Sequence, residues 1–161
     1  MNKVSKGIFA LLLAVLFLTS ACKANISRND DGSVTVETSI TQQELQELIS
    51  SSIADPLVQE LTVSLQTGYV SVTGTRQRLN DASKTDTLGF RLDLSVSNGK
   101  LIASVSNAQI DGIAIDQNRV DNWNQTIANR LSNLGSGQRN ATLQSVSITP
   151  EIVTLTWNAT K

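Results

Sequence analysis

One cysteine and no histidine set narrow limits on the chemistry open to this chain of 161 residues. Without an imidazole there is no Ser-His-Asp or Cys-His arrangement to activate a nucleophile. Carboxylates remain, and two of them flanking a cleft could hydrolyse a glycoside. However, Asp93 faces outward between polar neighbours on an alternating segment, and Glu44 and Glu47 read as a helix cap and a solvent-facing residue. Asp111, Asp116 and Asp121 could converge on a cation, but carboxylates near a helix start more commonly cap it or stay solvated. Asp30-Asp31-Gly32 opens like a calcium loop yet lacks the later ligands, so it reads as a turn or tether. No metal, no cofactor and no catalytic set are expected, and the chain reads as non-enzymatic.

The position of the cysteine explains its presence. Lys3 and Lys6 precede an apolar run from Gly7 to Leu18, followed by the small residues Thr19-Ser20-Ala21 and then Cys22. This order of charged, apolar and small regions is that of a secretory signal. The run is shorter than the roughly 20 residues a helix needs to span a bilayer. Leu18-Thr19-Ser20-Ala21-Cys22 resembles the lipobox of bacterial lipoproteins. That resemblance implies removal of residues 1–21 and a diacylglyceryl group on Cys22, with Thr19 standing where the family usually has Leu. The alternative is ordinary cleavage nearby that leaves a free thiol. A lone cysteine forms no intramolecular disulfide, and an exposed thiol outside the cell is a liability. The expected location is therefore extracytoplasmic, anchored to a bacterial membrane through the lipid on Cys22.

Loss of the signal leaves 140 residues, enough for one domain. Eleven Lys and Arg then face fourteen Asp and Glu, a net charge of −3. Arg76 and Arg78 are the densest basic spot, so nucleic-acid binding by electrostatics is not expected. A composition rich in Ser, Thr, Asn and Gln and poor in aromatics suits exposed β-sheet. The four Asn-x-Ser/Thr sequons at Asn25, Asn124, Asn140 and Asn158 read as chance in such a sequence.

The periodicity predicts an order of elements. Residues 22–32 carry little apolar material and read as a lipidated tether, followed by a domain over 33–161. Val34, Val36 and Ile40 alternate as a strand; Thr41-Gln42-Gln43-Glu44 has the form of a capping box. Leu45, Leu48, Ile49 and Ile53 make the apolar stripe of the helix that follows, which Asp55-Pro56 ends. Leu61, Val63 and Leu65, then Val70 and Val72, flank a turn at Thr67-Gly68; residues 77–84 read as a longer polar loop. Leu88 to Val96 alternate strictly, Asn98-Gly99 is a hairpin turn, and Leu101, Ala103 and Val105 return. Ile110, Ile113 and Ile115 form an apolar connection around Gly112. A second helix starts near Asp116 or Gln117, carries Val120, Trp123, Ile127, Leu131 and Leu134 on one stripe, and stops at Gly135 and Gly137. Two last strands, around 141–149 and 151–158, turn at Thr149-Pro150-Glu151. The order β-α-β-β-β-β-α-β-β predicts an α+β fold in which a curved, mainly antiparallel sheet packs around two amphipathic helices.

This order resembles small exported members of the tubular lipid-binding superfamily. The resemblance rests on the first strand and its helix with Leu45, Leu48 and Ile49, and on the Gly68-Tyr69-Val70-Ser71-Val72-Thr73-Gly74 hairpin. The Leu88–Val96 strand with its Ser97-Asn98-Gly99-Lys100-Leu101 turn, Gly112-Ile113-Ala114-Ile115 before the second helix, and a closing hairpin complete it. It implies a curved antiparallel sheet wrapped around a long helix, with a seam that holds an acyl chain. Leu88, Phe90, Leu92 and Leu94, facing Trp123, Ile127 and Leu131, are then the candidate lining. The competing expectation, slightly favoured in a domain of this size, is that these seven residues simply fill the core. A lipid or other apolar ligand is the first functional expectation. A cell-surface interaction domain that binds protein or glycan through its polar sheet face is the second.

Overall fold

The computed structural model describes residues 23–135 and 141–159. Among the described residues, nine strands and two helices follow one another: β1 (Lys23–Arg28), β2 (Val34–Thr41), α1 (Gln42–Ile53), β3 (Val58–Gln66), β4 (Tyr69–Arg78), β5 (Asp81–Ser97), β6 (Lys100–Ile110), β7 (Ile113–Ala114), α2 (Gln117–Gly135), β8 (Ala141–Ile148) and β9 (Ile152–Ala159). Every strand pairing is antiparallel. The expected α+β architecture holds, with its antiparallel strands divided into two sheets. One is five-stranded, in the order β3-β4-β5-β6-β7, and grows from consecutive hairpins. The other is four-stranded, in the order β1-β2-β9-β8, and joins the two ends of the described chain.

Local chemistry sets the element ends. At the start of α1 the Thr41 hydroxyl accepts from the Glu44 amide at 3.3 Å, while the Glu44 carboxylate accepts from the Thr41 amide at 2.8 Å. The capping box is thus complete. Helix α1 closes on Ala54 in the left-handed region at φ 47°. Asp116 caps α2, its Oδ1 accepting from the Asn118 amide at 3.0 Å. The Asn98-Gly99 and Asp111-Gly112 turns each place two successive residues at positive φ, as tight hairpins require.

Hydrogen bonds from strand amides to helix side chains explain how the five-stranded sheet wraps the helix pair. Edge strand β3 would leave amides unpaired on its outer side. Instead, the amides of Val63 and Leu65 donate to the side-chain oxygens of Gln46 and Gln42 on α1, at 3.1 and 3.3 Å. Across the sheet, the Val105 amide on β6 donates to Asn124 Oδ1 on α2 at 2.7 Å. With α1 held along β3, α2 along β6 and the helices in contact, the sheet curves around them. Register shifts at Val58/Glu60, Gln77/Arg78 and Gly89/Arg91 mark the bulges that aid this bending. Strand β8 lies across one end of the curve. Its Ile148 carbonyl accepts from the Gly68 amide, and its Leu143 amide donates to the Gly99 carbonyl, both at 3.0 Å. One buried apolar cluster spans both sheets and both helices.

Besides the two-residue strand β7, which lies in what reads as an apolar connection and pairs with Gln109 and Ile110 of β6, two longer segments differ from the sequence expectation. Residues 23–28, read as part of a tether, form the edge strand β1, which pairs with β2 from Lys23↔Ser39 to Arg28↔Val34. The Asp30-Asp31-Gly32 segment is the turn between them: the Gly32 amide donates to the Asn29 carbonyl, and Asp31 Oδ1 accepts from the Ser33 amide. Residues 77–84, read as a long loop, extend the β4–β5 hairpin to a turn at Leu79-Asn80. In both places backbone pairing carries the strand where apolar side chains do not. In the second, Arg78 also bonds Asp86 at 2.6 Å.

Candidate functional site

The seven residues predicted to line a seam do come together. Leu88, Phe90, Leu92 and Leu94 of β5 and Trp123, Ile127 and Leu131 of α2 belong to one buried cluster. Phe90 and Trp123 are in tilted ring contact, their centroids 5.5 Å apart. All seven are buried, Leu94 being the most exposed at 8%. Three hollows on the described surface are lined by other residues. This arrangement matches side chains packing against each other as core.

Apolar surface opens instead between the two helices. A groove of about 500 Å³ runs between α1 and α2, bordered by Glu44, Glu47, Leu48, Ser51, Arg130, Asn133 and Leu134. Leu134 is 41% exposed there, and Leu48 is half-buried. Arg130 crosses between the helices, its Nη1 donating to Ser51 Oγ at 2.8 Å. Leu134 and Leu48 belong to the same apolar stripes that seat the two helices on the sheet. The sequence assigns them to a core, whereas the structure leaves them at its rim.

Several ionisable groups of the described residues hold the fold together. Asp55, expected only as a helix stop, is the most deeply placed carboxylate in any ion pair described. At 5% exposure it bonds Arg76 Nε of β4 at 2.9 Å and also accepts from Arg119 of α2. Burial pushes its pKa up, but the hydrogen bonds from Arg76, the Leu57 amide and Arg119 outweigh that and hold the carboxyl below the usual aspartate range. The guanidinium of Arg119 lies over the Trp123 ring, 5.6 Å from its centroid. One carboxylate thus ties the end of α1 to β4 and to the start of α2.

The carboxylates weighed for chemistry have similar duties. Asp93 is held low by the hydrogen bonds of Arg91, which also stacks 4.1 Å over the Tyr69 ring. The Thr87 amide, at 2.7 Å, is the main influence lowering Asp111, with Arg78 3.1 Å from its other oxygen. Asp116 caps α2, and Asp121 accepts from Gln117 Nε2 at 2.8 Å. Asp111, Asp116 and Asp121 do not converge, and among the described residues no group of three or more acidic, Cys or His side chains is placed to hold a metal. Asp55, Asp93 and Asp111, whose carboxyls neighbouring donors hold low, serve here as hydrogen-bond acceptors. Cys22 lies outside the described residues. No family model matches the chain, and neither a curated protein nor a solved structure matches it.

Proposed function

We propose that this chain is an exported, non-enzymatic module, tethered to the bacterial membrane by a lipid on Cys22, that binds or shields an apolar chain. The resemblance to the tubular lipid-binding superfamily belongs to the same reading. The observation that carries it is the α1–α2 groove, with Leu48 and Leu134 accessible along it and Glu44, Glu47 and Arg130 at its margins. Ligand sites combine apolar walls with a few polar groups that fix orientation, and this groove has that make-up. Its volume falls within the range of small-molecule sites, roughly 300–1,000 Å³. The seven β5 and α2 residues, in contrast, are all buried.

The test is a titration of the full-length protein, extracted in detergent and exchanged into lipid-free nanodiscs or amphipol, with a fluorescent fatty acid. Saturable binding that Leu134→Asp weakens and Phe90→Leu leaves unchanged supports the groove. Absence of saturable binding refutes the reading. A second reading, interaction with protein or glycan, draws on the outer face of the five-stranded sheet. There Thr62↔Thr73 and Ser64↔Ser71 pair across β3 and β4, beside the Tyr69, Arg91 and Asp93 cluster. A stoichiometric partner captured from envelope extracts and lost on Arg91→Ala and Tyr69→Ala substitution would favour it.

A further inference from the structure

Among the described residues, one sheet edge differs from the rest. On β3 the Val63 and Leu65 amides bond Gln46 and Gln42. On β6 the Val105 amide bonds Asn124, and the far end of the strand carries β7. On β8 the Leu143 amide and the Ile148 carbonyl bond Gly99 and Gly68. Strand β1 is paired with β2 on one side, and no other described element bonds its backbone. Proteins blunt such edges with bulges, prolines or a covering segment. The register of β1 is unbroken, it holds no proline, and Ala24, Asn25, Ile26, Ser27 and Arg28 are all exposed.

The turn from β1 to β2 fixes which backbone groups face outward. The Asn29 amide donates to the Ser33 carbonyl, so these residues close the hairpin as a hydrogen-bonded pair. Bonded and non-bonded pairs alternate along an antiparallel ladder. Along the register, Ser27↔Thr35, Asn25↔Glu37 and Lys23↔Ser39 are therefore the bonded pairs, and Ala24, Ile26 and Arg28 turn their amides and carbonyls away from the sheet. Ile26 stands in line with Val36 of β2 and Trp157 of β9, on the same face. Trp157 lies in the core and Val36 packs against it, while Ile26, one strand further out, is 67% exposed.

We infer that the β1 edge is a homodimer surface whose occupant is β1 of a second copy, antiparallel and related by a two-fold axis through Ile26. Two antiparallel edges bond where outward-turned residues stand opposite each other. Centred on Ile26, the self-pairing sets Ala24 opposite Arg28, Ile26 opposite Ile26 and Arg28 opposite Ala24. All three outward residues of each copy then exchange bonds, which no other antiparallel self-register achieves. Lys23 falls opposite Asn29, so no two basic residues stand face to face. The two Ile26 Cα atoms lie about 5.5 Å apart, and each side chain covers the other at the rim of the core. A contact of this kind is isologous and closes on itself. It yields one continuous sheet in the order β8-β9-β2-β1-β1-β2-β9-β8. Strand β1 has six residues, so the contact belongs with small, transient interfaces below about 1,200 Å². Monomer and dimer coexist.

The test uses the full chain in detergent, with micelles in excess over protein. Sedimentation follows association at rising protein concentration, and NMR follows the exchange of individual amides. A monomer–dimer equilibrium is expected. The amides of Ala24, Ile26 and Arg28 should gain protection with concentration, while those of Asn25 and Ser27 are protected throughout. Ile26→Lys sets like charges opposite each other and removes the apolar contact, so it should weaken the dimer about ten-fold. Ile26→Pro removes an outward amide that bonds nothing among the described residues, a position where an edge strand accepts proline. It should abolish the dimer while circular dichroism remains that of the folded chain. Ile102→Lys, at an exposed apolar residue of the other sheet, should leave association unchanged. A chain that stays monomeric at every concentration, a dimer that survives both Ile26 substitutions, or β1 amides that gain protection only when envelope extract is added overturns the inference.

Discussion

Replacing Asp55 with Asn removes the one negative charge shared by α1, β4 and α2 while keeping the shape of the side chain. The magnitude follows from the geometry. Asp55 and Arg76 are 5% and 13% exposed, so their 2.9 Å bond is screened little by solvent. A hydrogen bond to a charged group in such a place contributes about 1.5–3 kcal/mol. Arg119 is 38% exposed, and its share is discounted to about 0.5–1 kcal/mol. Asn still accepts from the Leu57 amide but leaves the Arg76 guanidinium without its counter-charge, which adds to the loss. The expected cost is about 3 kcal/mol, a fall in Tm of about 6–12 °C at this chain length. Arg119→Gln should cost about 1 kcal/mol or less. The pH dependence has a definite sign. The folded pKa of Asp55 is depressed, so its contribution is full above the ordinary aspartate value of about 3.9 and fades as pH falls through the lower folded value. Thermal melts followed by circular dichroism, from pH 7 down to pH 2, measure all of this. A Tm shift under 3 °C at pH 7, or a gap between wild type and Asp55→Asn that stays constant down to pH 2, refutes the reasoning.

Other substitutions test separate parts of the structure. Ala54→Gly relieves a left-handed alanine at φ 47° and should raise stability by about 1 kcal/mol in urea melts. At Gly99 the φ is +72° and an added Cβ would lie 2.2 Å from Thr142 Cγ2, so Gly99→Ala should lose about 2 kcal/mol. Adding Thr142→Ala should recover the steric part of that loss and not the backbone part. Phe90→Ala empties the space beside Trp123 and should cost about 3–5 kcal/mol, with a red shift of tryptophan fluorescence. If the seam holds a ligand in place of packed side chains, that variant loses far less stability.

Much of the fold is legible in the sequence because its signals are local. The Thr41–Glu44 capping box, the strict alternation from Leu88 to Val96, the Asn98-Gly99 turn and the helix stripe through Trp123 all act within a few residues, and each stands where expected. The division into two sheets is not legible. It depends on β2 pairing with β9, Val34 with Ala159 through Thr41 with Ile152, more than a hundred residues apart. Strand β1 and the polar end of the β4–β5 hairpin escape for another reason: their stability lies in backbone bonds and in pairs such as Arg78–Asp86, which leave no apolar period. The candidate seam residues are found as neighbours, since alternation and helical spacing both point inward. Their packing density is not, since a filled core and a lined cavity carry the same pattern. The groove is missed because Leu48 and Leu134 share the stripes of core residues. Gln42 and Gln46, four apart on one helix face, hint at a shared task, but only the register of β3 reveals it.

The account stands most directly on Cys22 as an attachment point. Cells expressing the full chain and its Cys22→Ser variant, fed a labelled fatty acid and fractionated, give the decisive comparison. The wild-type protein should carry the label and sediment with membranes. The variant should carry none, and its folded domain should leave the membrane fraction under conditions that do not extract integral proteins. A variant that remains fully membrane-bound, or a wild-type protein that carries no label, would contradict the account.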